Sequence, residues 1–212
     1  RGFRGYRHSR STKSPVLYAT VAALLLKHLL GIVEDEVNEE IDLLLSFQRS
    51  DGLFVDPVIQ CKMAETEDSW GWRHLTLHAL MVLALYKTKP KYDLTYTDQF
   101  LDPNVFKKFL NAQDWGARVA WTSNLVQNLG VMLQFRRDYI GEKSSNEALH
   151  FLYEFLDKKQ NSFNGLFGDN FSTPHELSQA VQAGYHFWLL YSYDNRQINF
   201  SEHIIDSILK TQ

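Results

Sequence analysis

The sequence predicts an all-α protein in two layers, built from about four helical hairpins, and three observations carry that expectation. Apolar residues recur at helical spacing through each long segment, and no stretch alternates as a strand does. Nearly all-apolar segments take turns with shorter amphipathic ones. A glycine turn also recurs: Gln48-Arg49-Ser50-Asp51-Gly52-Leu53-Phe54 is echoed by Gln160-Asn161-Ser162-Phe163-Asn164-Gly165-Leu166-Phe167. A repeat at that distance makes a structural period the first property to test.

The elements follow in order. Ser14-Pro15 opens a helix that ends before Gly31 and is apolar on nearly every side, as an enclosed helix is, with Ser14 as expected cap. Residues 35–48 form an outer helix, with Val37, Ile41, Leu44, Leu45 and Phe47 opposite Glu36, Glu39, Glu40 and Asp42. Residues 67–87 form a second enclosed helix, followed by a polar link over 89–99. Asp102-Pro103 opens a short amphipathic helix that ends at a shortened turn, Gln113-Asp114-Trp115-Gly116. Residues 118–139 form a third long helix. Its amphipathic partner, 145–159, carries Leu149, Leu152, Phe155 and Leu156 on one face. Thr173-Pro174-His175-Glu176 has the pattern of a capping box and starts a fourth long helix running to about Tyr193. The last helix spans 201–212, with Ile204, Ile205, Ile208 and Leu209 as its stripe.

The hairpins therefore end at Gln48, Gln113, Gln160 and Gln212, at intervals of 65, 47 and 52 residues. Such hairpins stack as a solenoid or curl into a ring, and highly apolar first helices favour the ring, which encloses its inner layer. The expected fold is a two-layer α/α toroid or partial toroid. It forms one domain over residues 14–212, preceded by a basic arm over 1–13 in which Arg1, Arg4, Arg7, Arg10 and Lys13 recur every third residue.

The turns resemble the glutamine-aromatic repeat of the terpenoid cyclase and protein prenyltransferase family. In that α/α toroid an outer helix ends in Gln, a short link reaches Gly, and an aromatic follows. Residues 152–167 and 43–54 carry the resemblance; the other two copies are degenerate. In physical terms Gln bridges helix-end backbone groups, Gly takes a positive φ, and the aromatic wedges between hairpins. The chemistry of the family does not come with it. The Asp-x-Asp-Asp signature of the cyclases is missing, and Cys61 does not reproduce the zinc spacing of the transferases. The toroid is also similar to scaffolds of polysaccharide lyases, glycoside hydrolases, sugar epimerases and complement thioester domains, and the thioester run Gly-Cys-Gly-Glu-Gln is absent too.

Composition sets wide bounds. With 212 residues, 44% hydrophobic, the chain can bury a sizeable core. A net charge of -3 gives no overall attraction to nucleic acid. One cysteine rules out an internal disulfide. Lys27-His28 interrupts the run from Val16 to Leu26, which speaks against a signal peptide and a membrane span. The expectation is a soluble protein, with the cytoplasm favoured. The start on Arg1 rather than Met is expected of a processed product or a piece of a longer chain.

Candidate site residues sit near the starts of the enclosed helices, which converge at one mouth of a ring. The second hairpin offers Glu67, Asp68, Trp70 and Arg73, and the third Trp115, Arg118, Trp121 and Asn124. The fourth offers Asp169, His175, Glu176 and Gln179. Aromatic faces beside Arg, carboxylate and amide groups suit a saccharide or an anionic small ligand. Glu67 or Asp68 with Glu176 is the candidate acid and base pair for a glycosidic bond; His175, Arg118, Asn124 and Tyr185 would serve a lyase or epimerase. Glu176 equally fits a capping box, and Asp68 a first helical turn.

His74 and His78 share one helix face at metal-binding spacing, but no Glu lies between them, so they read as core histidines and no metal is expected. His186, in an apolar run, reads the same way. No phosphate loop or dinucleotide fingerprint calls for a cofactor. The leading expectation is binding, with processing as an extension, of a carbohydrate-like or anionic small ligand. The alternatives are a non-catalytic module that holds a protein partner through the basic arm, and an isoprenoid-handling enzyme. No motif assigns a reaction.

Overall fold

A computed structural model describes residues 5–11, 13–32, 37–56, 71–169 and 171–211. Among these the chain is all-helical: α1 (Leu17–Leu29), α2 (Asn38–Ser46), α3 (Trp72–Leu85), a 3-10 turn (Thr95–Leu101), α4 (Pro103–Asn111), α5 (Val119–Phe135) running into a π-turn (Arg136–Ile140), α6 (Ser144–Lys159), α7 (Pro174–Tyr193) and α8 (Ser201–Leu209). Extended pairing among the described residues is limited to isolated bridges, Gln48 with Phe54 and Gln160 with Phe167. The chain divides into two compact units, residues 1–98 with 138–140, and 99–137 with 141–212.

In the first unit α1 packs on α2 and α3. Leu17, Val21 and Leu24 of α1 and Leu75, Ala79, Leu80, Val82 and Leu83 of α3 are buried, each large aliphatic side chain contributing roughly 1.5–3 kcal/mol. Burial is not all-round. Leu26, Leu29 and Leu30 stand open at the end of α1, so the enclosure expected from its composition holds for its first half. The expected cap also differs. Val16 precedes α1 with no side-chain bond of its own, and the Leu17 N–H instead donates to Asp56 Oδ2 at 2.6 Å, from the far side of the glycine turn. Part of the basic arm is docked: the Tyr6 carbonyl accepts from Val16 N–H at 2.9 Å and the Tyr6 N–H donates to Thr20 Oγ1 at 3.2 Å.

In the second unit α5 is the central helix, lying against α7 and α6, while α4 packs on α6 and α8 on α7. Local signals work here as expected. Asp102 caps α4, its carboxylate accepting from Asn104 N–H at 2.8 Å, with Pro103 at the first position. The capping box at α7 is complete: Thr173 Oγ1 accepts from Glu176 N–H at 3.2 Å, and Glu176 Oε2 accepts from Thr173 N–H at 3.0 Å. Leu149, Leu152 and Leu156 bury their α6 face. The α8 stripe is split: Ile204 is buried, whereas Ile205 and Leu209 lie in the open.

The two glycine turns share one local structure, each within its own unit. Gln48 Nε2 donates to the Gly52 carbonyl at 3.0 Å and to the Tyr92 carbonyl at 2.9 Å, in the loop after α3. Gln160 Nε2 donates to the Gly165 carbonyl and to the Asn199 carbonyl, both at 2.9 Å, the latter in the loop after α7. One amide thus ties a helix end to its turn and to the chain returning from the next helix. Gly52 and Gly165 have φ of 90° and 72°, and a Cβ at Gly165 would meet Phe200 O at 2.8 Å and Ile204 N at 2.9 Å. The aromatics Phe54 and Phe167 are buried beneath their turns.

Gly165→Ala combines left-handed backbone strain with a backbone clash and is expected to lower stability by about 2 kcal/mol or more. Gln160→Ala strips one buried and one part-buried carbonyl of their donor and is expected to cost about 1–3 kcal/mol. Urea unfolding measures both; midpoints equal to that of the unaltered protein would show that the turn does not hold the hairpins.

Candidate functional site

The strongest concentration of polar chemistry among the described residues lies between α5 and α7 of the second unit. Helix α5 is buried almost all round, yet Thr122, Ser123, Asn124, Gln127, Asn128 and Gln134 are among its buried residues. Polar groups withdrawn from water require partners. Thr122 Oγ1 donates to the Asp114 carbonyl at 2.7 Å, capping the turn that precedes the helix. Ser123 Oγ lies 2.9 Å from His186 Nδ1, Asn124 Nδ2 lies 3.4 Å from His186 Nε2, and Asn128 Nδ2 donates to Asn124 Oδ1 at 3.2 Å.

The directions of these bonds follow from what each atom offers. Ser123 gives its proton to the Ala120 carbonyl at 2.8 Å, so its lone pair accepts from His186 Nδ1–H. Nε2 is then the bare nitrogen and accepts from the Asn124 amide. Burial pushes the His186 imidazole down to about 4, so the ring is neutral at pH 7. Ser123 and His186 therefore do not form a nucleophile and base pair. The serine is fully buried, its proton points at a carbonyl, and the basic nitrogen faces an amide. The chain Asn128–Asn124–His186 is a set of fixed donors and acceptors ending at a part-exposed imidazole.

The rim comes from the same helices. Trp121 and Asn124 lie one turn apart on α5, and Trp121 is 37% exposed with the Arg118 guanidinium 6.0 Å from its ring. On α7, Tyr185 is 58% exposed and its ring lies 5.4 Å from that of His186. Gln179, half-buried, is two turns before His186 on α7. The structure thus brings Arg118, Trp121, Asn124 and Gln179 to adjoining stretches of a helix pair.

The other predicted residues go elsewhere. Trp115 is 3% exposed: its indole N–H donates to the Leu110 carbonyl at 2.8 Å, and its ring lies against Phe187 and Phe155. It is a core wedge, because the shortened turn drives it inward. Asp169 pairs with Lys159 at 3.3 Å, and its N–H donates to the Trp115 carbonyl at 2.9 Å. His175 is exposed on the first turn of α7, and the Glu176 carboxylate is taken up by the backbone N–H groups of Ser172 and Thr173. Arg73 belongs to the first unit, where it bonds the Tyr96 hydroxyl. Glu67, Asp68 and Trp70 lie outside the described residues.

Ser123, Asn128 and His186 were not singled out by the sequence as a site. The signal available was the polar set at 123, 124, 127 and 128, which interrupts an otherwise apolar helix. A second network closes the far end of α7. Asp194 accepts from Tyr153 Oη at 2.7 Å and Arg137 Nη2 at 2.7 Å, and Tyr191 Oη donates to Asp157 Oδ1 at 2.7 Å. Burial alone would raise the Asp194 carboxyl, but the bonds from Arg137 and Tyr153 outweigh it and hold it below its ordinary value.

The chain matches no protein-family model, no curated protein and no solved structure. No helix among the described residues is long and apolar enough to cross a membrane.

The depressed His186 makes stability pH-dependent in a defined direction. The unfolded ring titrates near 6.5 and the folded ring near 4, so between these values the unfolded chain binds the extra proton. The stability is present above about pH 6.5 and is lost as pH falls towards about 4. From pH 7 to 5 the expected loss is about 1–2 kcal/mol after allowance for the partial exposure of the ring. His186→Gln is expected to flatten that segment in urea melts across this range; an unaltered slope would show that His186 is not the titrating group.

Proposed function

We propose that the second unit binds a carbohydrate-like small ligand on the α5–α7 face. The observation that carries the reading is the fixed donor and acceptor chain Asn128–Asn124–His186, which ends at an imidazole beside the exposed ring of Tyr185, with the part-exposed Trp121 one turn before Asn124 on α5. Saccharides are recognised by this combination, an aromatic face for the C–H side of the ring and rigid neutral amides for the hydroxyls. Arg118, over Trp121, adds a group suited to a carboxylate-bearing sugar. The reading is one of binding. An acid and base pair on Glu176 is disfavoured because its carboxylate is engaged by two backbone amides.

The two equivalent glutamine turns support the α/α toroid as the architecture behind this site, and we retain it as part of the proposal. An isoprenoid-handling role fits the buried amides and imidazole of α5 and α7 poorly. A protein-holding module is the second reading, favoured by Tyr185, Leu189 and Tyr193, exposed at successive turns of α7.

Titration with mono- and oligosaccharides, uronates among them, followed by tryptophan fluorescence and thermal shift, tests the proposal. Binding at millimolar ligand or below is expected, weakened roughly tenfold or more by Asn124→Ala or Trp121→Ala, the equivalent of one lost bond or stacking contact of about 1.4 kcal/mol. No shift with any saccharide, or shifts unaltered in both variants, would overturn it.

A further inference from the structure

The second glycine turn carries a chemistry that the ligand face does not use. Asn164-Gly165 is the one Asn-Gly pair in the sequence. An asparagine so placed loses its side-chain amide without an enzyme: the following backbone nitrogen, once stripped of its proton, attacks the amide carbon and ammonia leaves. Glycine favours the attack, because no Cβ shields its nitrogen and its backbone turns freely.

In the folded turn the groups that must move are held. Ring closure requires rotation about the Cα–C bond of Asn164, which carries the Asn164 carbonyl and the Gly165 N–H with it. That carbonyl accepts from Ser207 Oγ of α8 at 2.8 Å, and the Gly165 N–H donates to the Asn161 carbonyl at 2.7 Å. The carboxamide is held too, Asn164 Oδ1 accepting from Leu166 N–H at 2.9 Å. That last bond alone would draw electrons from the amide carbon and assist attack; the hold on the peptide prevents it. Helix α8 also sits on the glycine, with Phe200 O at 2.8 Å and Ile204 N at 2.9 Å from the place of a Cβ.

We propose that Asn164 is a site of spontaneous deamidation that the docking of α8 keeps closed. Helix α8 is lightly anchored. Ile204 and Ser207 are its buried residues, whereas Ile205 and Leu209 lie in the open, so it leaves the turn at less cost than unfolding the whole unit. Once it leaves, Gly165 N bonds to Asn164 Cγ, Nδ2 departs as ammonia with the backbone proton, and water opens the resulting imide at either carbonyl. The products are an α-linked or a β-linked aspartyl residue.

The first turn shows what the α-linked product does. Asp51 precedes Gly52 at the equivalent position, and its Oδ1 accepts from Leu53 N–H at 3.2 Å, so a carboxylate makes the same bond there. The β-linked product instead adds a carbon to the backbone and displaces the Gly165 carbonyl, which lies 2.9 Å from Gln160 Nε2 in the intact turn. That branch is one-way. Each β-linked chain records an excursion of α8 from its turn.

Ageing of the whole chain in mildly alkaline buffer, with and without urea, tests this by intact mass and by fragmentation of the tryptic peptide over 160–196. Asn164 is expected to lead the other asparagines in urea and to react roughly tenfold or more slowly in the folded chain. The folded rate is expected to climb with urea below the unfolding transition, where α8 opens by itself. Ser207→Ala, with its fold verified by far-UV circular dichroism, is expected to raise the folded rate about threefold or more and to leave the rate in urea unaltered. Chains aged to the β-linked form are expected to unfold at lower urea than Asn164→Asp, which keeps the Asp51 arrangement; equal midpoints would refute the one-way branch. Equal rates in folded and unfolded chains, or a folded rate raised neither by low urea nor by Ser207→Ala, would overturn the proposal.

Discussion

The structure depends on what one side-chain amide does at the end of an outer helix. A helix terminus, a tight turn and an incoming loop all leave carbonyls without partners, and burying them unpaired is expensive. Gln48 and Gln160 each answer two of these groups with a single NH2, one in the turn that follows and one in the loop after the next helix. The glycine of each turn lets that loop approach where any Cβ would collide. Each hairpin is therefore closed and joined to the segment that follows it by the same few atoms. The copies are not identical in detail: Gln48 Oε1 also accepts from Tyr92 N–H at 3.0 Å, whereas Gln160 Oε1 is buried with no hydrogen-bond partner among the described residues.

Between hairpins, the second unit relies on a polar line inside an apolar interface. Helices α5 and α7 could slide along one another if only leucines met. Ser123 and Asn124 against His186 at one end, and Gln134 against the Leu190 carbonyl at 3.2 Å at the other, allow one register. Such a line contributes little net stability, since each bond replaces one with water. Its effect is to fix donors and acceptors in place before a ligand arrives, which is the property a binding face needs.

The two units place imidazoles in opposite settings. His186 has both ring nitrogens engaged by α5, which leaves it neutral and suited to hydrogen bonding. His78 has its Nδ1 tied to its own helix, and its ring lies 6.3 Å from that of Tyr18, whose hydroxyl has no acceptor among the described residues. The same side chain thus bridges two helices in one unit and is tied to the preceding turn of its own helix in the other.

The sequence by itself determined the helices, their order and the two glutamine turns, because those depend on contacts within a few residues. Thr173, Pro174 and Glu176 specify a cap over four positions, and Gln160 to Phe167 specify a turn over eight. Tertiary structure alone decided which polar residues meet. Asp56 caps a helix 39 positions away in place of Ser14, and His186 joins Ser123 across 63. Trp115, spaced like a ligand-facing residue, turns into the core, and the Ile205 and Leu209 half of an apolar stripe stays in the open. Periodicity names the face on which a side chain lies, whereas the packing register between helices decides what that face touches, and that register is set by shape and buried hydrogen bonds distant in the chain.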